Sequence, residues 1–265
     1  MLVELKLFLL ILYYVKMNKD KNICKGDNIM SLFDAIYKRK ASRQFLDKPL
    51  EEKELNEMLE TLKGFELLYS ESPLEFRMVS HTKGLFNVDA PHYLIISGQG
   101  REYEQLNAGY VGERFVLWLH TKGIGSVWQG ASKDAGEGRS KYDLIVIAFG
   151  KSEIPIERKL EEFKRKDINE ITNIPDDECL KAVHVAPSGI NIQPWYFEKV
   201  DNKIVVYEQK LKPPLSFLYK TTAVDMGIAL CHYALACEHY NKLFSFKPVN
   251  GKSNKRGFKL FGELT

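Results

Sequence analysis

From Met30 onward, two kinds of stretch alternate along the chain. In one, apolar residues recur every three or four positions; in the other, they run consecutively for five to eight. The first spacing belongs to one face of an α-helix, the second to a strand covered on both sides. Leu32, Ala35 and Ile36 follow Ser31, a suitable N-cap, and predict a short helix. Leu50, Leu55, Met58, Leu59 and Leu62 after Pro49 predict a second helix, closed by Gly64. LEFRMVSH (74–81) and YLIISG (93–98) read as strands. A long helix is expected from about Tyr103 to Lys122, carried by Ala108, Val111, Phe115, Val116 and Leu119 and stopped at GIG (123–125). LIVIAFG (144–150) predicts a central buried strand.

The second part of the chain repeats this order. A helix is expected through DDECLKAVHV, then strands WYFEKV and KIVVYEQ joined by the turn DNK. TTAVDMGIALCHYALACEHY gives a second long helix, matching NAGYVGERFVLWLHTKGIG. FSFKPV precedes a basic tail, GKSNKRGFKLFGELT, expected to form a closing strand and a solvated turn. Helix, helix, two strands and a long helix thus recur at a spacing of about 126 residues. The expected fold class is α+β, with halves 30–165 and 166–265 related by duplication and sharing one core. Chance recurrence of this order in an α+β protein is the alternative.

Residues 1–29 stand apart. Leu7 to Val15 form nine consecutive apolar residues between Lys6 and Lys16, followed by the polar run MNKDKNICKGDN. A spanning helix needs about 20 residues, and no small-residue cleavage site follows. Back-translation of KGDNIM with A/T-rich codons yields a purine-rich stretch before the Met30 codon, so this segment reads as leader ahead of a start at Met30. A membrane-seeking extension and a packed helix are the other readings.

Composition narrows the function classes. Thirty-eight Lys and Arg against 35 Asp and Glu leave a net charge of +3. Such a balance argues against a protein built around nucleic acid. The four cysteines, Cys24, Cys179, Cys231 and Cys237, include no CxxC pair and no metal-ligand spacing, which fits reduced thiols in a cytoplasmic protein.

Three segments carry candidate chemistry. KRKASRQF (38–45) places Arg39, Lys40 and Arg43 just after a helix, where they can hold a phosphate or an electron-rich ring edge; a solvated basic helix end is the alternative. APSGINIQPWYF (186–197) offers Ser188, Asn191 and Gln193 on a loop shaped by Pro187, Gly189 and Pro194, equipment for reading a planar heteroaromatic ligand, or else a packed turn. GIGSVWQG (123–130) permits close backbone approach to a ligand face, but it lacks GxGxxG and follows a helix, so a dinucleotide fold is a poor reading. His120, His184, His232 and His239 lie on helices among apolar neighbours and read as satisfied core histidines, and Trp118 and Trp195 as core. Asp225 reads as a capping or pairing residue.

Together, RKASRQF (39–45), GIGSVW (123–128), APSGINIQPW (186–195) and the Arg-bearing run IAFGKSEIPIERKLEEF resemble the nitroreductase family of FMN-dependent oxidoreductases. The resemblance covers most of 30–240, and it is closest to the smaller group in which two half-copies lie in one chain. In the usual member the basic and APS motifs lie close together in one subunit, and two subunits build the site. Here Arg39 and Ala186 lie about 145 residues apart, one in each half. The resemblance therefore implies a monomeric pseudo-dimer with one intact site. In the opposite site, RKDIN (165–169) and FELLYSESPLEF (65–76) have lost the pattern.

The resemblance implies roles residue by residue. Arg39 and Arg43 would contact the flavin phosphate and pyrimidine edge, with Lys40 and the backbone of Ala41 alongside; Ala41 stands where the family has Ser. Arg158 matches the family's phosphate-binding Arg. Pro187, Ser188, Gly189 and Asn191 would pack against and hydrogen-bond the ring system, and Gln129 and Gly130 would lie near its reactive edge. The implied activity uses NAD(P)H to reduce a nitroaromatic or quinone acceptor, with FMN rather than an acid–base pair carrying the chemistry. A non-catalytic flavin-binding protein and a degenerate scaffold with an interaction role are the alternatives. No metal, nucleic-acid or membrane partner is expected.

Overall fold

The computed structural model describes residues 30–136, 138–249, 251 and 253–265. The expectations for residues 1–29, Cys24 included, lie outside the described residues. The chain begins with α1 (Leu32–Ile36) and α2 (Glu52–Lys63). The latter starts later than Pro49 suggests because two glutamates organise its first turn: the Glu51 N–H donates to Glu54 Oε2 at 2.9 Å. The Gly64 N–H closes its last turn on the carbonyls of Glu60 and Thr61, both at 3.1 Å.

Strands β1 (Glu75–Val79), β2 (Thr82–Gly84) and β3 (His92–Ser97) follow, then the 18-residue α3 (Glu104–Thr121). After it come β4 (Gly125–Gln129), β5 (Ser132–Asp134) and β6 (Asp143–Gly150). β1, β3, β6 and β4 form an antiparallel sheet in that order, and β2 pairs with β5 in a separate ribbon. All six residues of the inner strand β3 are buried, which is why this run and LIVIAFG lack polar alternation.

Past two short 3-10 turns, the chain forms α4 (Glu178–His184), β7 (Trp195–Val200), β8 (Lys203–Gln209), α5 (Leu215–Leu218) and the 18-residue α6 (Thr222–His239). β9 (Phe246–Pro248) and β10 (Phe258–Leu264) complete a second antiparallel sheet, ordered β7-β8-β10-β9. Both sheets follow one plan. Their strands, in chain order, stand first, second, fourth, third, with the 18-residue helix between the second and third.

The two long helices are buried almost all round and pack on each other. Gly109 and Gly227 set how close they come. A Cβ on Gly109 would lie 1.9 Å from the Val224 carbonyl oxygen, and one on Gly227 would lie 2.1 Å from that of Leu106. Only hydrogen at both positions allows this backbone-on-backbone crossing. One polar cluster inside it is paired. Glu113, fully buried, accepts from Trp128 Nε1 at 2.9 Å and faces His232 Nε2 at 3.1 Å. His232 Nδ1 lies 2.9 Å from the Ala182 carbonyl, which can only accept, so that nitrogen carries a hydrogen. One further proton must therefore sit between His232 Nε2 and Glu113.

Candidate functional site

After α1 and a short turn the chain runs extended through 39–46, held by backbone on both sides. Lys40 N–H donates to the Ile156 carbonyl at 2.7 Å, Ser42 N–H to that of Ser126 at 3.1 Å, and Arg158 N–H to that of Lys38 at 2.8 Å. Gly125 differs from its expected role. A Cβ there would lie 2.9 Å from the Cβ atoms of both Ser42 and Ser152, so the glycine makes room for the chain's own strands rather than for a ligand. Arg39 is thereby carried inward until it is 6% exposed. Its Nη2 donates to the Ser126 carbonyl at 3.3 Å, and its Nε has no partner among the described residues. Burial lowers its pKa and neighbouring Arg43 lowers it further, with only Glu113 opposing.

The loop 186–194 leaves α4 in an unusual conformation. Ile190, Asn191 and Gln193 have φ of 46°, 59° and 46°, the left-handed region that β-branched residues rarely enter. Side chains over-determine this shape. Ser188 Oγ accepts from Gln193 N–H at 2.8 Å, Asp225 Oδ1 accepts from Gly189 N–H at 3.0 Å, and Asn191 Oδ1 accepts from Arg165 Nη1 at 3.0 Å. Tyr219 closes the arrangement by donating to Asp225 Oδ2 at 2.6 Å. Gly189 is required there, since a Cβ would lie 2.0 Å from the Tyr219 oxygen.

Between these two segments lies a cavity of about 170 Å³ that opens to solvent. One wall is Arg39, Ala41 and Arg43; facing it are Pro187, Ser188, Gly189 and Ile190. Trp128, Gly130, Tyr219 and Asp225 also line it. Seven of the residues selected from sequence thus line one space. Lys40, Gln129, Arg158 and Asn191 do not. Gln129 spends its amide on Val88, accepting from the N–H at 3.1 Å and donating to the carbonyl at 3.2 Å. Arg158 lies behind Arg39, donating to its carbonyl at 3.0 Å with the guanidinium 3.5 Å from the Phe163 ring centroid. Asn191 faces Arg165 and Lys164.

The electrostatics favour an anion. Burial and neighbouring guanidinium groups push Arg158 and Arg165 each down to about 10. Among the described residues, no carboxylate forms an ion pair with Arg39, Arg158 or Arg165. His120 adds to this picture and departs from the expected satisfied core histidine. Neither of its ring nitrogens has a partner, and burial, then Arg39, pushes its pKa down to about 4. Cations so crowded and uncompensated attract a negative group. Among the described residues no cluster of three or more His, Cys, Asp and Glu could hold a metal ion, and no helix is long and apolar enough to cross a membrane.

Sequence reasoning set Asp225 aside and placed Arg165 in a lost motif. Asp225 is a cavity residue, and Arg165 braces the loop through the Val185 carbonyl at 3.0 Å and Asn191. A carboxyl inside an otherwise apolar helix was the available signal for the first; nothing local marked the second. The matching positions of α3 carry buried side chains. Leu106, Asn107 and Tyr110 hold the third, fourth and seventh positions of α3, as Val224, Asp225 and Ile228 do in α6. All three are buried, and the Tyr69 and Tyr103 rings lie with their centroids 4.5 Å apart.

A fold with two matched α+β layers and a cation-lined cavity between the basic segment and the APS loop defines a nitroreductase-like protein. The family described as "Putative TM nitroreductase" matches residues 31–237, and the chain belongs to this family of oxidoreductases. Among solved structures, the chain is similar to a putative nitroreductase from Thermotoga maritima at 20% identity and a TM-score of 0.61, covering 91% of this chain and 95% of that one. A putative NADH dehydrogenase/NAD(P)H nitroreductase from Parabacteroides distasonis is 17% identical, with a TM-score of 0.42 over 53% of this chain and 95% of its own. An FMN-dependent nitroreductase from Clostridium difficile R20291 is 16% identical, with a TM-score of 0.36 over 54% and 95%. No curated protein matches the sequence.

Proposed function

We propose that the cavity binds FMN and that the protein is an NAD(P)H-dependent FMN oxidoreductase acting on nitroaromatic or quinone acceptors. One observation carries this reading: Arg39, buried with an unpartnered Nε, shares a cavity with Arg43 and the loop Pro187–Ile190. A buried guanidinium with a free donor is costly unless an acceptor fills the place, and a phosphate supplies charge and oxygens together.

In this reading Arg39 and Arg43 hold the anionic edge of the cofactor, with Arg158 and Arg165 adding field from behind. Pro187 to Ile190 cover the ring system, and Ser188 and the loop amides orient it. When bound, FMN supplies the hydride chemistry between NAD(P)H and the acceptor in alternating half-reactions. Lys40, Gln129 and Asn191 serve the same site indirectly, by fixing the backbone around it. We also infer that the shared strand plan reflects duplication of one half, giving a monomer with a single flavin site. Purified protein tests this reading. A yellow protein bleached by NAD(P)H and recoloured by a nitroaromatic or quinone supports it. Colourless protein that cannot be reconstituted with FMN overturns it.

A further inference from the structure

We infer that Asp225 is the proton-holding group of the cavity, binding a proton from solvent when the cavity fills and releasing it when the cavity empties. The inference rests on the FMN reading for the identity of the occupant, but its origin lies in the surroundings of one carboxyl.

Asp225 is 2% exposed and lines the cavity. Its two oxygens accept from Gly189 N–H at 3.0 Å and Tyr219 O–H at 2.6 Å, both neutral donors. Among the described residues no lysine, arginine or histidine forms an ion pair with it. The charged and titratable groups around it are few. Tyr219 comes from the segment before α6, and Glu208 from the end of β8, where it is engaged by Thr222 Oγ1 and Lys259. Arg39 and Arg43 stand on the basic wall of the cavity. Burial dominates, Glu208 adds to it, and the two hydrogen bonds only partly oppose them, so the carboxyl is pushed up to about 7.

A structural role alone does not call for an acid here. Asn107, at the same fourth position of α3, clamps its loop with an amide: Oδ1 accepts from Tyr69 N–H at 2.9 Å, and Nδ2 donates to the Tyr69 and Ser72 carbonyls, both at 2.8 Å. An amide therefore suffices to tie a loop to the long helix. What a carboxyl adds at 225 is a proton that can come and go. A ligand entering the cavity removes water from the open side of Asp225, and a negative ligand adds repulsion; both favour the neutral acid. The incoming proton settles on Oδ2, which then donates to the Tyr219 oxygen, and the phenol turns its hydrogen toward Thr221, already its neighbour. No electrons move in this step.

Isothermal titration of the flavin-free full-length protein with FMN at pH 8, in HEPES and in Tris, reads the protons exchanged. At that pH the phosphate, with its second pKa of about 6, stays fully ionised and contributes little. The expected result is an uptake of roughly 0.5–1 proton per FMN, abolished in Asp225→Asn. Tyr219→Phe removes the donor that favours the carboxylate and should reduce the uptake, because more protein is already protonated. FMN binding without uptake, or equal uptake in Asp225→Asn, overturns the inference while leaving the FMN reading intact. If FMN does not bind the wild type, that reading falls, and carboxyl ¹³C titration of the unliganded protein decides the inference instead. A midpoint near neutrality sustains Asp225 as the proton holder, and an ordinary carboxylate value overturns it.

Discussion

Gly109 and Gly227 face each other's helices at the sixth position of α3 and α6, and each would drive a Cβ into the partner helix's carbonyl oxygen. The crossing also places Asp225, two residues before Gly227, against the APS loop. Gly227→Ala should therefore destabilise the protein by about 3 kcal/mol, since close-packed backbone cannot yield without separating the helices. Urea unfolding checks this, with Gly123→Ala as the contrast: that position has φ of 73° but open space around it, so backbone strain of about 1 kcal/mol is its only cost.

Charge on the basic wall should govern retention of FMN. Arg43→Ala leaves the buried architecture in place, because this side chain is exposed. Losing one charge-assisted contact of about 1.5–3 kcal/mol should weaken FMN binding at least about tenfold. Fluorescence titration of flavin-free protein measures the change; unchanged affinity would remove Arg43 from the site. Arg39→Gln should weaken binding further.

His120 and Asp225 should give opposing pH dependences of stability. The folded protein holds His120 neutral down to about 4, whereas the unfolded chain protonates near 6.5. The unfolded state thus binds more protons between those values, and this contribution to stability is lost as pH falls from 6.5 to 4. Asp225 is held protonated up to about 7 when folded and ionises near 3.8 when unfolded. Its contribution is present at low pH and lost as pH rises from about 4 to 7. Each effect is on the order of 2–3 kcal/mol after allowance for solvent screening. Chemical denaturation from pH 4 to 7 should show stability rising more steeply with pH in Asp225→Asn than in wild type, and less steeply in His120→Leu.

The proton between His232 and Glu113 makes this pair sensitive to removal of either partner. His232→Phe leaves Glu113 buried beside Trp128 alone and should cost about 3–5 kcal/mol. Glu113→Gln keeps an acceptor for the indole and a donor for the imidazole, and should cost about 1 kcal/mol. A double-mutant cycle on thermal unfolding separates the coupling from the single losses.

Much of the fold is legible in the chain because period and burial coincide. LIVIAFG and YLIISG are inner strands, and the two long apolar helices end within one or two residues of the expected places. The basic and APS motifs are legible as side-chain types. Their meeting follows from the family resemblance and not from the side-chain types, because Arg39 and Pro187 are distant in sequence and share a cavity only in the folded chain. Gln129 misleads for the same reason: its neighbours include Gly130, a cavity residue, but strand alternation turns its own amide to Val88. Asp225 escapes notice because a lone carboxyl in a helix usually caps or pairs, and its loop partner Gly189 is distant in sequence.

Having both long helices in one polypeptide lets position four be an aspartate in one and an asparagine in the other. In an assembly of two identical subunits every substitution arrives twice, once on each side of the symmetry axis. A change that fills one cavity would then fill both. Here Asn107 ties the Tyr69 backbone to α3 while Asp225 holds Gly189 and lines a cavity. On the proposed flavin reading, the covalent link lets one side specialise in rigidity and the other in ligand binding.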